Sequence, residues 1–555
     1  MQPSTLPRTA GLIGFSILAN LIFAYWYFFS STSDSQPTVI PPPAFPLFPS
    51  HAYTKVVHPE DTDIWPYRVY KSSNFTPPYF TVKRNGGAIA EGYLFMTPKS
   101  RGPKGAQQSL PVIMTNDNDV VYCLDGIYNY NNFRIQSYHG KPYLTAWEGF
   151  SVTGHGYGQW FLMDDGYIKN TIPFGGSFNI DLTDKTPPGF MDFHEQQVTS
   201  EGTVLVTAYN ITPFDLSKKA GSGAQWVVDS LLYEIDIETK EVVFLWSALD
   251  HIDPFASRMA LPSERGDGSE ELPYDFFHLN SMQLLTPDTI LISSRHFWAC
   301  YLISRKTGDI IWMLDGTGEN GMGNFGPLPL EGQFRYQHHA RGFNVTDKGF
   351  QLSLYDNHHR EGETNSMDSR AILLDVSMPP DSKIPPVVLR SMNPLERVIS
   401  YSQGAYDAEL SNGNQLVVNG QIPIIREYGP SNNSADIRWE GRFGNDNLVQ
   451  SYRAFKSTWK ATPKEWGPSL VYEKDGSDLT AYVSWNGATE VKYWRLYEVG
   501  IGAELKPLGQ AAASGFETVI NIPSHLNETQ CILAAAFQDG KEVRLSNRAC
   551  HETQH

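Results

Sequence analysis

Between about residue 61 and residue 465 this chain of 555 residues has no stretch with a long, clean helical period. That absence excludes a helical bundle as the main body. Positive charge is also scarce: 43 Lys and Arg face 60 Asp and Glu, a formal charge of -17, and no long Lys/Arg cluster offsets it. Phosphate-rich polymers need a basic surface, so nucleic acid is not an expected partner. There is no P-loop, no H-E-x-x-H and no Cys/His run with metal-ligand spacing, so no cofactor and no metal are called for. Gly316, Gly318 and Gly321 fit G-x-G-x-x-G after a strand, but the following MGNFGPLPLEG cannot open a helix, which removes the dinucleotide reading. Cysteine is limited to four residues. Cys531 and Cys550 flank a hairpin-like stretch and are expected to be bonded, whereas Cys123 and Cys300 sit in apolar strand patterns and read as core.

One long apolar run is present. Residues 10–29 (AGLIGFSILANLIFAYWYFF) carry no charge and are just long enough to cross a bilayer, with Tyr25, Trp26 and Tyr27 at the far end as an interfacial belt. Arg8 precedes the run and no Lys or Arg follows until Lys55, so residues 1–9 are expected to stay cytosolic. The expectation is a single-pass signal anchor with the body in the secretory lumen or outside the cell. The alternative is secretion after signal cleavage, for which the run is long and lacks a clear cleavage motif. Sequons at Asn74, Asn210, Asn344, Asn432 and Asn527 agree with that compartment and mark candidate glycosylation sites.

Residues 30–60 are rich in Ser and Pro and read as an extended stalk. From 61 to 465 short apolar runs such as Thr203–Ala208, Glu241–Trp246 and Thr289–Ser293 alternate with turn dipeptides such as Asp165-Gly166, Thr307-Gly308 and Asn412-Gly413. LLYEIDIETKEVVFLWSALDH and ACYLISRKTGDIIWMLDG share one plan: strand, charged turn, strand, Trp. Repeated four-stranded units of this kind, none able to bury its faces alone, indicate a β-propeller. Residues 466–555 change character, giving alternating strands with Trp485 as a candidate core residue. Their rhythm suggests an immunoglobulin- or fibronectin-like sandwich.

The chemistry concentrates in four stretches within 85 positions: Asp275 to Ser281 (DFFHLNS), Ser293 to His296 (SSRH), Gln337 to Arg341 (QHHAR) and Asp356 to His359 (DNHH). Each lies beside a strand-like run. Histidine attacks, donates or accepts protons near neutral pH. His278 and Asn280 are two apart, so on a regular strand both face one side, and Arg295 with His296 ends the next strand. A guanidinium fork beside an amide suits a tetrahedral oxyanion.

In their order, His-x-Asn-Ser, Ser-Ser-Arg-His, the TG-x-I-x-W phrase, Gln-His-x-Ala-Arg and Asp-Asn followed by Ser369-Arg370 resemble the arylsulfotransferase family, in its fungal-type branch, over roughly residues 110–450. The resemblance implies an all-β fold with a six-bladed propeller and an axial active site. It also implies sulfuryl transfer from a phenolic sulfate ester to a phenol through a sulfated histidine, with no nucleotide donor. On the matching motifs His338 becomes the nucleophile, with His339 as the neighbouring candidate. His278, Asn280 and Arg295 would hold sulfate oxygens, and His194 would manage the proton of the phenol. His296, Arg341, Asn357 and His358 are candidate pocket residues. The expected partners are a small aryl sulfate, a phenol, and a membrane through residues 10–29. Lyase, cyclase or hydrolase chemistry in the same pocket, or a non-catalytic binding propeller, are the alternatives.

Overall fold

The computed structural model describes residues 45–550, apart from 62, 101–107, 125, 153, 173–186, 222–223, 264–265, 363–366, 501, 503 and 527–528. The expected anchor at 10–29, the stalk up to residue 44 and the sequon at Asn527 lie outside the described residues. Among the described residues no helix is long and apolar enough to cross a membrane. α-Helix is limited there to the four-residue turns Ser217–Ala220 and Ala248–His251.

The chain is all-β, and its central part is propeller-like. Four sheets follow one another along the chain, each an antiparallel run of four strands. Their first strands are Asn129–Tyr138, Gln196–Val198, Leu279–Thr286 and His338–Thr346. A fifth sheet starts at Ala405–Asp407 and takes Thr81–Arg84 as an extra outer strand. The sixth is built from both ends of the region. Val449–Ser457 is its first strand, and it pairs with Tyr93–Ser100, which is followed by Val112–Met114 and Val120–Cys123. Contacts run round the six sheets, with first strands adjacent from Leu279–Thr286 through His338–Thr346, Ala405–Asp407, Val449–Ser457 and Asn129–Tyr138 to Gln196–Val198, and Leu279–Thr286 packing on Thr203–Pro213 of the sheet before it. Sharing one sheet between early and late segments closes the ring and leaves no open edge at the seam.

Packing between successive sheets explains the repeat seen in sequence. Trp226–Asp236 with Val242–Ser247, and Ala299–Ser304 with Ile310–Asp315, are the third and fourth strands of neighbouring sheets. Trp246 and Trp312 fall at matching places, both fully buried. Trp246 packs with Phe277, Leu279 and Ile292 of the following sheet, and Trp312 packs with Leu352, Ile372 and Leu374 of the one after. Trp246 Nε1 also donates to Gly308 O at 3.1 Å. Gly308 has φ +80°, and a Cβ there would sit 3.2 Å from Trp246, so the turn needs glycine twice over.

The C-terminal part is two sheets over a common core. One has the order Ser469–Asp475, Asp478–Ser484, Glu517–Ile522, Ser50–Ala52. The other runs Leu505–Ala512, Tyr493–Val499, Cys531–Gln538, Lys541–Leu545, with Ala549–Cys550 also paired to Cys531–Gln538. Leu496, Ile520, Ile532 and Ala534 fill the centre beside Trp485 and Trp494. Cys531 and Cys550 oppose each other in register and are disulfide-bonded, while Cys123 and Cys300 are buried thiols. One expectation is corrected. The stalk of 30–60 is not a free spacer to its end: Phe48 enters this core and Ser50–Ala52 adds a strand to Glu517–Ile522. An apolar residue followed by an unpaired backbone segment is stabilised by covering an open sheet edge.

Candidate active site

The starts of several first strands gather around one cavity. His194 lies just before Gln196–Val198, His278 just before Leu279–Thr286, His338 begins His338–Thr346, and Gln403 lies just before Ala405–Asp407. Together with Arg295, His296, Tyr401 and Tyr452 they line a cavity of about 110 Å³. His194, His278, Arg295, His296 and His338 are therefore brought together although 144 positions separate the first from the last. Backbone strain marks the same region. His278, His339, His358 and Gln403 have φ of +55°, +57°, +58° and +68°, a region disfavoured for residues with a Cβ and concentrated at functional sites.

His338 is oriented by hydrogen bonds that leave one assignment open. Asn357 places Nδ2 at 3.0 Å from Ser400 O and 2.9 Å from Gln403 O, so it must donate to both carbonyls. Its Oδ1 then accepts, and the partner is His338 Nδ1 at 2.6 Å, with Tyr336 O at 3.1 Å from the same nitrogen. Nδ1 therefore carries the proton, and Nε2 keeps a lone pair that accepts from Gln403 N–H at 3.2 Å. Burial, reinforced by Arg295, holds the imidazole well below its ordinary value, while Asn357 pulls weakly the other way. His338 is neutral at neutral pH.

Two more histidines are held by carboxylates. His194 Nδ1 is 2.5 Å from Asp192 Oδ2, and His278 Nδ1 is 2.5 Å from Asp275 Oδ2. Burial keeps His278 well below the usual imidazole range even against the adjacent Asp275. Burial alone would raise Asp275, but the imidazoles of His278, His296 and His155 hold it well below the usual carboxylate range. His296 has a different task. Its Nδ1–H donates to Asp275 O at 2.6 Å and its Nε2 receives Arg295 Nη1–H at 2.8 Å, so it positions the guanidinium. Burial takes it down to about 4. Arg295 also donates to Tyr401 O at 3.1 Å and lies 5.0 Å over the Tyr336 ring.

Next to this cavity lies a buried charge cluster. Glu195 meets Arg134 at 3.1 Å, Arg453 at 2.9 Å and Arg341 more closely still. Burial would raise the carboxyl, yet the three guanidiniums bring it down to about 2. One carboxylate among three cations leaves a positive field in a low-dielectric interior, which attracts an anionic group. A larger opening of about 1030 Å³, lined by Lys141, Asp164, Asp407 and Trp459, contains no histidine and has Lys456 engaged by Glu427 at 2.5 Å. Its chemistry is poorer than its size.

Some expected site residues lie elsewhere. Asn280 does not line the cavity: its Nδ2 donates to Gln337 O at 2.7 Å. The same-side argument assumed a regular strand, and the left-handed backbone at His278 with a register shift between Leu279 and Ser281 breaks the alternation. His339 turns away to Tyr406 O and the Phe455 ring, so of the adjacent pair His338 faces the cavity. Arg341 serves the Glu195 cluster, and His358 is tied to Asp356 at 3.1 Å. Asn357 acts from behind His338. The sequence reading missed Asp192, Asp275, His155, Tyr452 and the Glu195 cluster. Asp192-Phe193-His194 and Asp275-Phe276-Phe277-His278 share a phrase that could have exposed the two carboxylates. Asn74, Asn344 and Asn432 are exposed, and Asn210 is half-buried in a strand.

The family profile described as arylsulfotransferase (ASST) matches residues 134–444, more than half of the chain and the span holding His194, His278, Arg295, His338 and Asn357. The chain belongs to the arylsulfotransferase family. Tyr452 and Arg453 lie just beyond the matched span. No match was found among curated proteins. Solved structures with similar chain paths include a Bacteroides caccae protein of unknown function (10% identity, 66% of this chain and 98% of that one, TM-score 0.34). Another is the Cps50 (Swd1) β-propeller domain of Myceliophteria thermophila (11%, 80% and 100%, TM-score 0.31). A third is the periplasmic gluconolactonase PpgL of Pseudomonas aeruginosa (8%, 65% and 97%, TM-score 0.32). The propeller assignment for this arylsulfotransferase-family chain rests on its own strand order.

Proposed function

We propose that the protein transfers a sulfuryl group from a phenolic sulfate ester to a phenol through a sulfohistidine at His338. The observation that carries this reading is the Asn357 amide, whose two donor bonds fix His338 as the Nδ1–H tautomer and leave Nε2 unprotonated, its lone pair accepting, among the described residues, only from Gln403 N–H. That nitrogen attacks sulfur. The bond from sulfur to the aryl oxygen breaks, and its electron pair leaves with the phenolate. Arg295 and the Tyr452 hydroxyl stand beside the cavity to bind the equatorial oxygens, and the Glu195 cluster adds its positive field. In the second half the acceptor phenol attacks the sulfohistidine and gives its proton to His194, oriented by Asp192. The same ring protonates the leaving phenolate in the next turnover, so protons balance over the cycle.

The cavity accommodates the sulfuryl group, and the aryl ring of either substrate extends toward the rim formed by Arg360, Glu361 and Gln421. In this reading the six sheets are six blades. The two C-terminal sheets, one of four strands that includes Ser50–Ala52 and one of five, make up a fibronectin-type sandwich in this reading. The anchor at 10–29 and a lumenal or extracellular body, or a secreted one, belong to the same proposal, as do glycans at the sequons. The test is incubation with a chromogenic aryl sulfate with and without a phenol acceptor. Acceptor-dependent release that disappears in His338→Ala supports transfer. Release without acceptor indicates a hydrolase, and silence across a donor panel favours a binding propeller.

A further inference from the structure

At the wall of the sulfuryl cavity is a side-chain set to which the proposed transfer assigns no step. His155 begins the strand His155–Met163 of one sheet, while Asp275 and His278 precede the first strand of a sheet more than 100 positions later. One nitrogen of each imidazole and an oxygen of Asp275 all lie within 4.8 Å of one another. His155 Nε2 is 3.2 Å from Asp275 Oδ2, and His278 Nδ1 is 2.5 Å from the same oxygen. All three residues are buried, at 7%, 6% and 8% exposure.

We infer that His155, Asp275 and His278 form a binding site for a divalent transition-metal ion that opens onto the cavity. Three observations support this. Two imidazoles and one carboxylate make a donor set that suits zinc and its first-row neighbours and leaves coordination positions vacant. Asp275 Oδ1 is fully buried and has no hydrogen-bond partner, an acceptor oxygen with nothing to accept, which is costly unless a ligand satisfies it. The surroundings also hold the ligands in place. The Tyr209 ring packs 4.3 Å from His155, and His296 Nδ1–H donates to the Asp275 backbone carbonyl at 2.6 Å. Because Asp275 and His278 line the cavity, the vacant positions face whatever binds there. An ion at that point would accept an anionic oxygen of the substrate. The inference does not depend on sulfuryl transfer, since any reaction in this cavity would meet the same ion.

The ligands come from two sheets and follow no short spacing, which is why a search for metal motifs in the sequence passes over them. The test uses the purified full chain. The protein is stripped with a chelator, equilibrated with Zn2+ or Co2+, washed, and analysed by plasma mass spectrometry. About one equivalent per chain is expected, falling at least tenfold in His155→Gln and in Asp275→Asn. Less than a tenth of an equivalent in the wild type overturns the proposal, as does a full equivalent retained by both variants. Should a variant fail to fold, X-ray absorption at the zinc edge of the wild type decides. Imidazole nitrogen and oxygen neighbours at about 2.0–2.1 Å support the site, and a shell without imidazole overturns it. Aryl sulfate turnover in the stripped and loaded samples reports on sulfuryl transfer separately, so either proposal can fail without the other.

Discussion

Replacing Asn357 by Asp changes few atoms and tests the logic of the nucleophile. The amide donates to Ser400 O and Gln403 O and accepts from His338 Nδ1, so His338 keeps a neutral partner. A carboxylate in its place would still accept from Nδ1 but would add a negative charge next to the ring. At an effective dielectric of about 20 and a separation of about 4 Å, an ion pair is worth about 4 kcal/mol. Even if burial of the new carboxylate and its clash with two carbonyls removed half of that, the protonated imidazole would gain about 2 kcal/mol, more than tenfold in its equilibrium. Wild-type His338 is held neutral to well below its ordinary value, so kcat/KM should stay flat as pH falls through 6.5. In Asn357→Asp the acid limb should move upward, with kcat/KM at pH 6 falling at least tenfold further than at pH 8. A stopped-flow pH profile with a chromogenic aryl sulfate measures this. If the limb stays in place, or activity rises at low pH, His338 is not attacking as the neutral Nδ1–H tautomer.

Three further outcomes follow from the same geometry. The Tyr452 hydroxyl is buried without a hydrogen-bond partner, so Tyr452→Phe should leave the melting temperature unchanged or slightly higher while lowering kcat about 10- to 100-fold. Glu195 is held at about 2 against an ordinary 4.5, so the folded carboxyl is depressed and its stabilisation is complete above pH 4.5. Its contribution, about 3 kcal/mol, should be lost as pH falls from about 4.5 toward 2, and Glu195→Gln should shrink that part of a denaturation-versus-pH curve. Trp312→Ala removes a fully buried ring between two sheets and should cost about 3–5 kcal/mol in chemical denaturation, without shifting the pH profile of any residual activity.

The propeller was legible because local patterning survives at the outer strands. Strand, charged turn, strand and Trp recur wherever a third and fourth strand must cover the next sheet, as at Trp246 and Trp312. The seam was not legible, because Val449–Ser457 belongs with Tyr93–Ser100 across some 350 positions and no local pattern encodes that pairing. Tyr452 and Arg453 sit on that seam strand and were missed with it. In the site, the histidines were visible as residues at strand starts, but their orientation was not. The left-handed backbone at His278 moves Asn280 away from the cavity, and the same conformation at His339 separates the paired histidines. Asp192 and Asp275 stand two and three positions before their histidines, but only the fold shows that each carboxylate holds its ring. His155 carried no signal at all, since only the approach of two sheets brings it to Asp275.

Mass spectrometry of the His338 peptide tests the central claim most directly. After incubation with an aryl sulfate and no acceptor, followed by rapid quenching at alkaline pH, the account predicts a single sulfuryl increment on His338 that disappears when a phenol is added. Turnover with no such adduct, or an adduct on His194 or His278 instead, would contradict it.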